Sequence, residues 1–191
     1  MNKMKYIKLY EDYMNEADGK PKPASPGAKT LYKTYQKIID LTRNVAAYNQ
    51  YPALVLWGKA LDHQDKEAGN PNKNREDDNR ENLKYQEKRA KKSQAEIEAL
   101  EKQAKALEKG CEPGELRALK SWWAAEKKLH NHRMNADWRV TDTALNAYKI
   151  LGDEEALKKN SKAAQEYEKK DDEFDSAALQ ARYDLRDEYK I

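Results

Sequence analysis

The sequence holds one cysteine, one phenylalanine, seven glycines and six prolines in 191 residues. Each shortage excludes something. A lone Cys111 cannot form an internal disulfide, so a disulfide-stapled secreted fold is excluded and a reducing compartment is the expected setting. The longest apolar stretch, Pro52-Ala-Leu-Val-Leu-Trp57, falls far short of the roughly 20 residues that span a bilayer. The first residues lack the apolar stretch of a secretory signal and carry acids among their lysines. No membrane partner is expected. The few Gly and Pro cluster, so they act as punctuation between elements. Leu, Ile, Val and Phe are too scarce to fill a large globular core.

Charge is what the chain has in excess. Charged residues make up 37%, against roughly 25% in an average soluble domain. Such a composition suits narrow apolar stripes along long helices. Twelve Tyr and four Trp add buried area wherever their polar atoms find partners. The net charge of +3 is unevenly placed: residues 1–16 sum to zero, 17–152 carry 26 bases and 19 acids, and 153–191 carry 8 bases and 12 acids. A basic body with an acidic last helix suits weak electrostatic binding of nucleic acid, or a homo-oligomer, beside the plain alternative of charged faces meeting solvent.

Periodicity predicts helices throughout. Residues 5–16 form a short amphipathic helix on paper, with Tyr6, Tyr10, Tyr13 and Met14 at helical spacing; at that length it is marginal alone in water. Residues 17–29, with their Pro and Gly, read as an extended linker without helix or strand. A helix follows from about Thr30 to Asn49, its face made by Leu31, Tyr35, Ile38, Ile39, Leu41 and Val45. Pro52 suits the first turn of a second helix to Glu67, with Leu54, Val55, Trp57 and Leu61. Residues 30–68 are therefore expected as a helical pair, ended by a loop over 68–74. From Arg75 to Lys109 strong helix formers dominate. Heptad spacing puts Leu83, Ala90, Ile97, Ala104 and Cys111 at one core position and Gln86, Ser93, Leu100 and Leu107 at the other; only the last two heptads make a real seam.

Gly110 suits a C-terminal cap and Pro113 a first turn, and so short a connection predicts antiparallel neighbours. The next helix runs to about Leu151, with Leu116, Leu119, Trp123, Met134, Trp138, Leu145 and Tyr148 on its apolar face. It can break at Val140–Thr143, with Thr141 or Asp142 as a new cap. Gly152 followed by acidic residues stops and restarts the chain. The last helix, to about Tyr189, carries a thin stripe of Leu157, Asn160, Ala164, Tyr167, Asp171, Phe174, Ala178, Ala181 and Leu185. No strand candidate appears. The expected fold is all-α, an elongated helical bundle whose residues 75–191 make a long antiparallel hairpin, partly coiled-coil-like, plus an acidic C-terminal helix.

Motifs for chemistry are missing. The sequence has no Gly-rich phosphate loop, no His-Glu-x-x-His and no Gly-x-Ser-x-Gly. His130 and His132 stand two apart, so on a helix they cannot share a metal; with His63 they read as polar surface. No base adjoins Cys111 in sequence to activate it. No cofactor, metal or enzymatic activity is expected, and the enzymatic alternative is an acid pair assembled by the fold. Trp122 and Trp123 point about 100° apart on a helix. Trp123 fits the core face, and Trp122 either fills a second helix contact or stands exposed as a binding anchor. Lys88, Arg89, Lys91 and Lys92 form a basic patch without interleaved aromatics, so base stacking is not indicated; phosphate contact and a solvated face are the two readings.

One segment points somewhere specific. Ile7-Lys8-Leu9-Tyr10-Glu11-Asp12-Tyr13-Met14-Asn15-Glu16-Ala17 resembles the N-terminal capsid-targeting peptide of the internal head proteins of T-even-type tailed phages. Lys8, Tyr10, Asp12, Tyr13, Met14 and Glu16 match that pattern. Six residues precede the match, and Met14 stands where Leu or Ile is usual. The resemblance implies entry into the assembling prohead and a cut by the prohead protease after Glu16, leaving Ala17 as the new N-terminus. The partners it implies are the prohead core and the protease, and the location is the capsid interior. Cargo of this type, ejected with the DNA into the host cytoplasm, sometimes binds a host defence protein. The match covers about eleven residues; the rest of the chain resembles no family. No Leu-x-Glu or Ile-x-Glu follows Ala17, so such a cut leaves the body whole. A helical adaptor that assembles through its long helices is the alternative function.

Overall fold

Ser25 caps the first helix of the described residues. Its hydroxyl accepts a hydrogen bond from the Ala28 amide at 3.2 Å, and Pro26 occupies the first helical position, where a missing N–H costs nothing. In the computed structural model, which describes residues 21–70 and 74–191, five α-helices follow: α1 Pro26–Glu67, α2 Arg75–Leu107, α3 Pro113–Met134, α4 Asp142–Ile150 and α5 Glu154–Glu188. Two 3₁₀ turns, Glu108–Gly110 and Trp138–Val140, lie between them. The protein is an all-α helical bundle, as its composition predicts. The candidate targeting residues Lys8, Tyr10, Asp12, Tyr13, Met14, Glu16 and Ala17 lie outside the described residues.

The expected linker over 17–29 is corrected at its end. Lys22–Pro23 (β1) pairs in parallel with Tyr189–Lys190 (β2), and Pro26–Lys29 is already helix. The expected helical pair over 30–68 is one helix. Pro52 sits inside α1, where it removes the donor for the Tyr48 carbonyl and costs about 3 kcal/mol. Tertiary packing outweighs that cost. Asn49 Nδ2 donates to the Met134 carbonyl at 2.7 Å, and Ala53 is buried with Ala144 and Tyr148. The face of this half also differs from expectation. Leu54 is 41% exposed, whereas Ala53 and Ala60 are buried. Two neighbours decide this: α4 covers the Ala53 side, and α2 approaches so closely at Gly58 that a Cβ there would stand 2.8 Å from the Arg75 carbonyl oxygen.

A long antiparallel hairpin is present, but α1 and α2 form it. Lys37 pairs with Glu96 at 2.6 Å, Asn44 Nδ2 donates to Ser93 at 3.2 Å, and Asn79 Nδ2 donates to the Leu54 carbonyl at 2.8 Å. Asp62 closes the far end, accepting from the Glu76 amide at 2.9 Å. The buried face of α2 is Ala90, Ser93, Ile97, Leu100 and Ala104, all at the predicted seam positions. The expectation that the short Gly110–Gly114 connection makes α2 and α3 close neighbours is corrected. The two helices splay around α1, and α3 packs on α1 and α5. Gly110 is not a left-handed cap either; among the described residues, Gly69 and Gly152 hold positive φ, at 79° and 68°. The Gly110 carbonyl instead lies against the start of α1, where a Cβ on Gly27 would collide with it, whereas a Cβ on Gly110 itself would meet nothing.

The break near Val140 occurs as expected. Thr141 caps α4, its hydroxyl accepting from the Ala144 amide at 3.3 Å. Asp153 caps α5, accepting from the Ala156 amide at 3.0 Å. The buried residues of α5, Asn160, Ala164, Ala178 and Leu185, all lie on the predicted stripe. Two cores result. The larger joins Leu31, Tyr35 and Ile38 of α1 to Ile97, Leu119, Trp122 and Leu185. The smaller gathers around Ala53, Ala144 and Tyr148.

A clasp closes the larger core. Glu115, buried at the start of α3, accepts from the Ser25 amide at 2.6 Å, the Ser25 hydroxyl at 2.7 Å and the Glu112 amide at 3.0 Å. One carboxylate thus caps α3 and holds the start of α1. Helix propensity alone says that Gly27→Ala stabilises α1 by up to about 1 kcal/mol. The Gly27–Gly110 contact predicts the reverse, a loss of about 2 kcal/mol. Thermal unfolding followed by circular dichroism decides the sign; a raised midpoint would remove Gly27–Gly110 packing from the account of the clasp.

Candidate functional site

Of the two readings of Trp122, the second helix contact holds and the exposed binding anchor is corrected. Trp122 is 2% exposed, packed against Tyr32 with ring centroids 4.6 Å apart. It is therefore no surface anchor. The reason is the position of α3, which lies between α1 and α5 and so has two faces covered. Trp123 takes the other face, stacked on Tyr35 at 4.5 Å and 6°, with Lys127 Nζ 6.0 Å from its ring centroid.

The indole of Trp122 leads to a buried carboxylate. Its Nε1 donates to Glu126 at 3.0 Å. Glu126 also accepts from Arg182 Nη2 at 2.6 Å, and His130 Nε2 lies 3.4 Å from it. Burial alone would raise the Glu126 carboxyl. Hydrogen bonds from His130, Arg182 and Trp122, with the Arg182 charge, outweigh burial and hold it down to about 2. Glu126 is thus ionised at neutral pH and ties α3 to α5 through a charge-assisted bond. Sequence reasoning missed this group because Glu126 and Arg182 stand 56 residues apart; the four-residue spacing of Trp122, Glu126 and His130 was the signal for half of it.

The histidines are corrected with it. They do point apart, as helical spacing requires, but both are packed. The His130 side chain is 10% exposed. His132 stacks on Tyr167 at 4.4 Å and meets Phe174 edge-on at 5.3 Å. His63 is exposed, as expected, beside Glu67. Cys111 is half-buried; burial raises its thiol, as do the nearby charges of Glu115 and Glu108. That disfavours the thiolate a nucleophile needs. Among the described residues no group of His, Cys, Asp and Glu is placed to hold a metal ion. No described helix is long and apolar enough to cross a membrane.

The described residues form several concavities and a charged face. A cavity of about 160 Å³ lies between α1, α2 and α3, lined by Ile38, Ile97, Trp123, His130 and Met134 among others. A second, of about 310 Å³, adjoins it; both border the Lys127–Glu101 ion pair, 2.9 Å long. A groove of about 550 Å³ runs between α3 and α5 beside His132, Tyr167 and Phe174. The charged face is on α2. Lys88, Arg89, Lys91 and Lys92 are all exposed. Lys91 bonds Glu87 at 2.6 Å. No aromatic interleaves residues 88–92, but Tyr85, one turn earlier on the same side, is 64% exposed. Reading the patch as a contiguous stretch hid it, whereas i+3 and i+4 spacing shows it.

Comparison with known proteins finds no matching family, no similar curated protein and no similar solved structure.

The Glu126 geometry fixes a pH dependence. Its folded value lies below the unfolded one of 4.5, so its contribution is complete above that value and is lost as pH falls toward about 2. The depression corresponds to about 3 kcal/mol. Arg182→Ala leaves a buried charge without its strongest partner and is expected to cost about 3 kcal/mol near neutral pH. Urea denaturation of wild type and variant should show that gap narrowing as acid protonates both carboxyls. A gap that is absent at neutral pH, or constant with pH, would refute the assignment.

Proposed function

We propose that the chain is an internal or core protein of a tailed-phage head, carried into the assembling prohead by its N-terminal peptide and cut there after Glu16. The observation that carries this reading is the run of Lys8, Tyr10, Asp12, Tyr13, Met14 and Glu16, followed at once by Ala17 and the Pro/Gly stretch. A docking peptide needs apolar anchors on one face, which Tyr6, Tyr10, Tyr13 and Met14 supply at helical spacing. A protease needs extended, accessible chain at its cut. The layout of the body supports the same reading. Among the described residues the β1–β2 pair begins at Lys22 and the larger core at Ala24, both beyond a cut after Glu16. The protein acts by binding, in the head or on a host protein after ejection with the DNA, and not by catalysis.

Mass spectrometry of the protein from purified particles is expected to find Ala17 at its N-terminus; an intact Met1 there refutes processing. Deletion of residues 1–16 should abolish packaging and leave helicity and the thermal midpoint unchanged. A deletion that unfolds the body makes the segment part of the core instead. The second reading, a helical protein that assembles through its long helices, is favoured by Leu179 and Tyr183. They lie one turn apart on α5 and are 42% and 51% exposed. Concentration-dependent sedimentation that Tyr183→Ala abolishes would move the conclusion to that reading.

A further inference from the structure

The middle of the α1/α2 hairpin is almost free of acids. Antiparallel pairing sets residues 41–53 of α1 beside residues 83–95 of α2, where Asn44 meets Ser93 and Pro52 lines a shared pocket with Leu83. These two stretches contain six bases and one acid, Glu87. Five of the bases, Lys84, Lys88, Arg89, Lys91 and Lys92, fall within nine residues of α2. Elsewhere the helices pair their charges, as in Arg80–Glu76, Lys37–Glu96 and Lys127–Glu101. Here Lys84, Lys88 and Arg89 form no ion pair with any described residue. Like charges at i+3 and i+4, as in Lys84 and Lys88, Lys88 and Lys92, and Arg89 and Lys92, weaken a helix. An arrangement that costs the free protein stability returns it when an anion binds.

Tyr85, Lys88, Arg89 and Lys92 stand at i, i+3, i+4 and i+7, on the side of α2 turned away from the buried Ala90, Ser93 and Ile97. They cover about 10 Å along the helix, roughly three stacked bases at 3.4 Å each. The Tyr85 ring is 64% exposed and stacks on no described ring. We propose that this face binds single-stranded nucleic acid without sequence preference. Lys88, Arg89 and Lys92 take successive phosphates, and the Tyr85 ring takes the face of an unpaired base. A duplex would satisfy the charges and leave Tyr85 idle, because its bases are stacked on one another. An acidic polypeptide, including the acidic α5 of a second copy, would likewise satisfy the charges alone. The inference rests on the hairpin and not on residues 1–16, so it holds or fails apart from the packaging proposal.

Fluorescence anisotropy on the full chain tests it, with a dye-labelled oligo-dT, a duplex of equal length and unlabelled polyglutamate as competitor. Over about 50–200 mM salt, the logarithm of oligo-dT affinity should fall with a slope near −2, about −0.7 for each of three phosphates. Lys88→Glu with Arg89→Glu and Lys92→Glu is expected to lower affinity at least about tenfold, while Lys102→Glu with Lys105→Glu, exposed on the same helix, changes it little. Tyr85→Ala should weaken oligo-dT binding about fivefold or more and leave duplex binding unchanged. Circular dichroism of each variant verifies the fold. Equal binding by the triple variant and wild type, equal loss for both nucleic acids on Tyr85→Ala, tighter binding to the duplex, or matching competition by polyglutamate at equal charge each overturn the proposal.

Discussion

The structure depends on α1 as a shared surface. The chain has too few aliphatic side chains to build a core in which every helix contributes a full face. One 42-residue helix, about 60 Å long, solves this by lending different stretches to different partners. Its first half receives α2 and α3, and its second half α2 and α4. Sharing explains why Pro52 is tolerated inside a helix. A break there would let the two halves rotate independently, and α2, which spans both, would lose its register.

Sharing also explains the role of aromatic and charged groups in the interior. Where α3 meets α5 the join includes charged pairs, Arg133 with Asp171 and Asp175 and the buried Glu126 with Arg182 and the indole of Trp122. Burying a carboxylate is expensive unless it is paired and hydrogen-bonded. Glu126 has both, and a displaced α5 would strand it. The bond is therefore a device of register as much as of stability. Glu115 does the same work at the clasp, with a serine and two backbone amides in place of a guanidinium.

Much of the fold was legible in the sequence where a signal is local. The caps at Thr141 and Asp153, the stop at Gly152 and the stripe of α5 follow from single residues and from spacing. What was not legible is tertiary. Nothing within a few residues of Pro52 says that packing will outweigh its cost, and nothing near Gly110 says that α2 turns to α1 rather than α3. The distant α4 put Ala53 inside and left Leu54 outside, against the hydrophobicity of the segment. The candidate site divides in the same way. The basic residues of α2 were visible as a run, and the ring beside them only on the helix surface. The anchor reading of Trp122 failed because Tyr32 of α1 covers its ring, and His130 was taken for surface because the neighbours that bury it lie far away in the chain.

The order in which the chain is made gives the Glu126–Arg182 bond a temporal meaning. Synthesis proceeds from the N-terminus. α1 and α2 form contacts between nearby segments and can close as soon as both exist, since short loops close at little entropic cost. Glu126 arrives while its guanidinium is still unmade. Until Arg182 emerges, α3 cannot seat its carboxylate without stranding a charge, so the nascent chain has a reason to leave α3 loosely docked. α5 then supplies the counter-charge through Arg182, and its arrival becomes the event that seats α3.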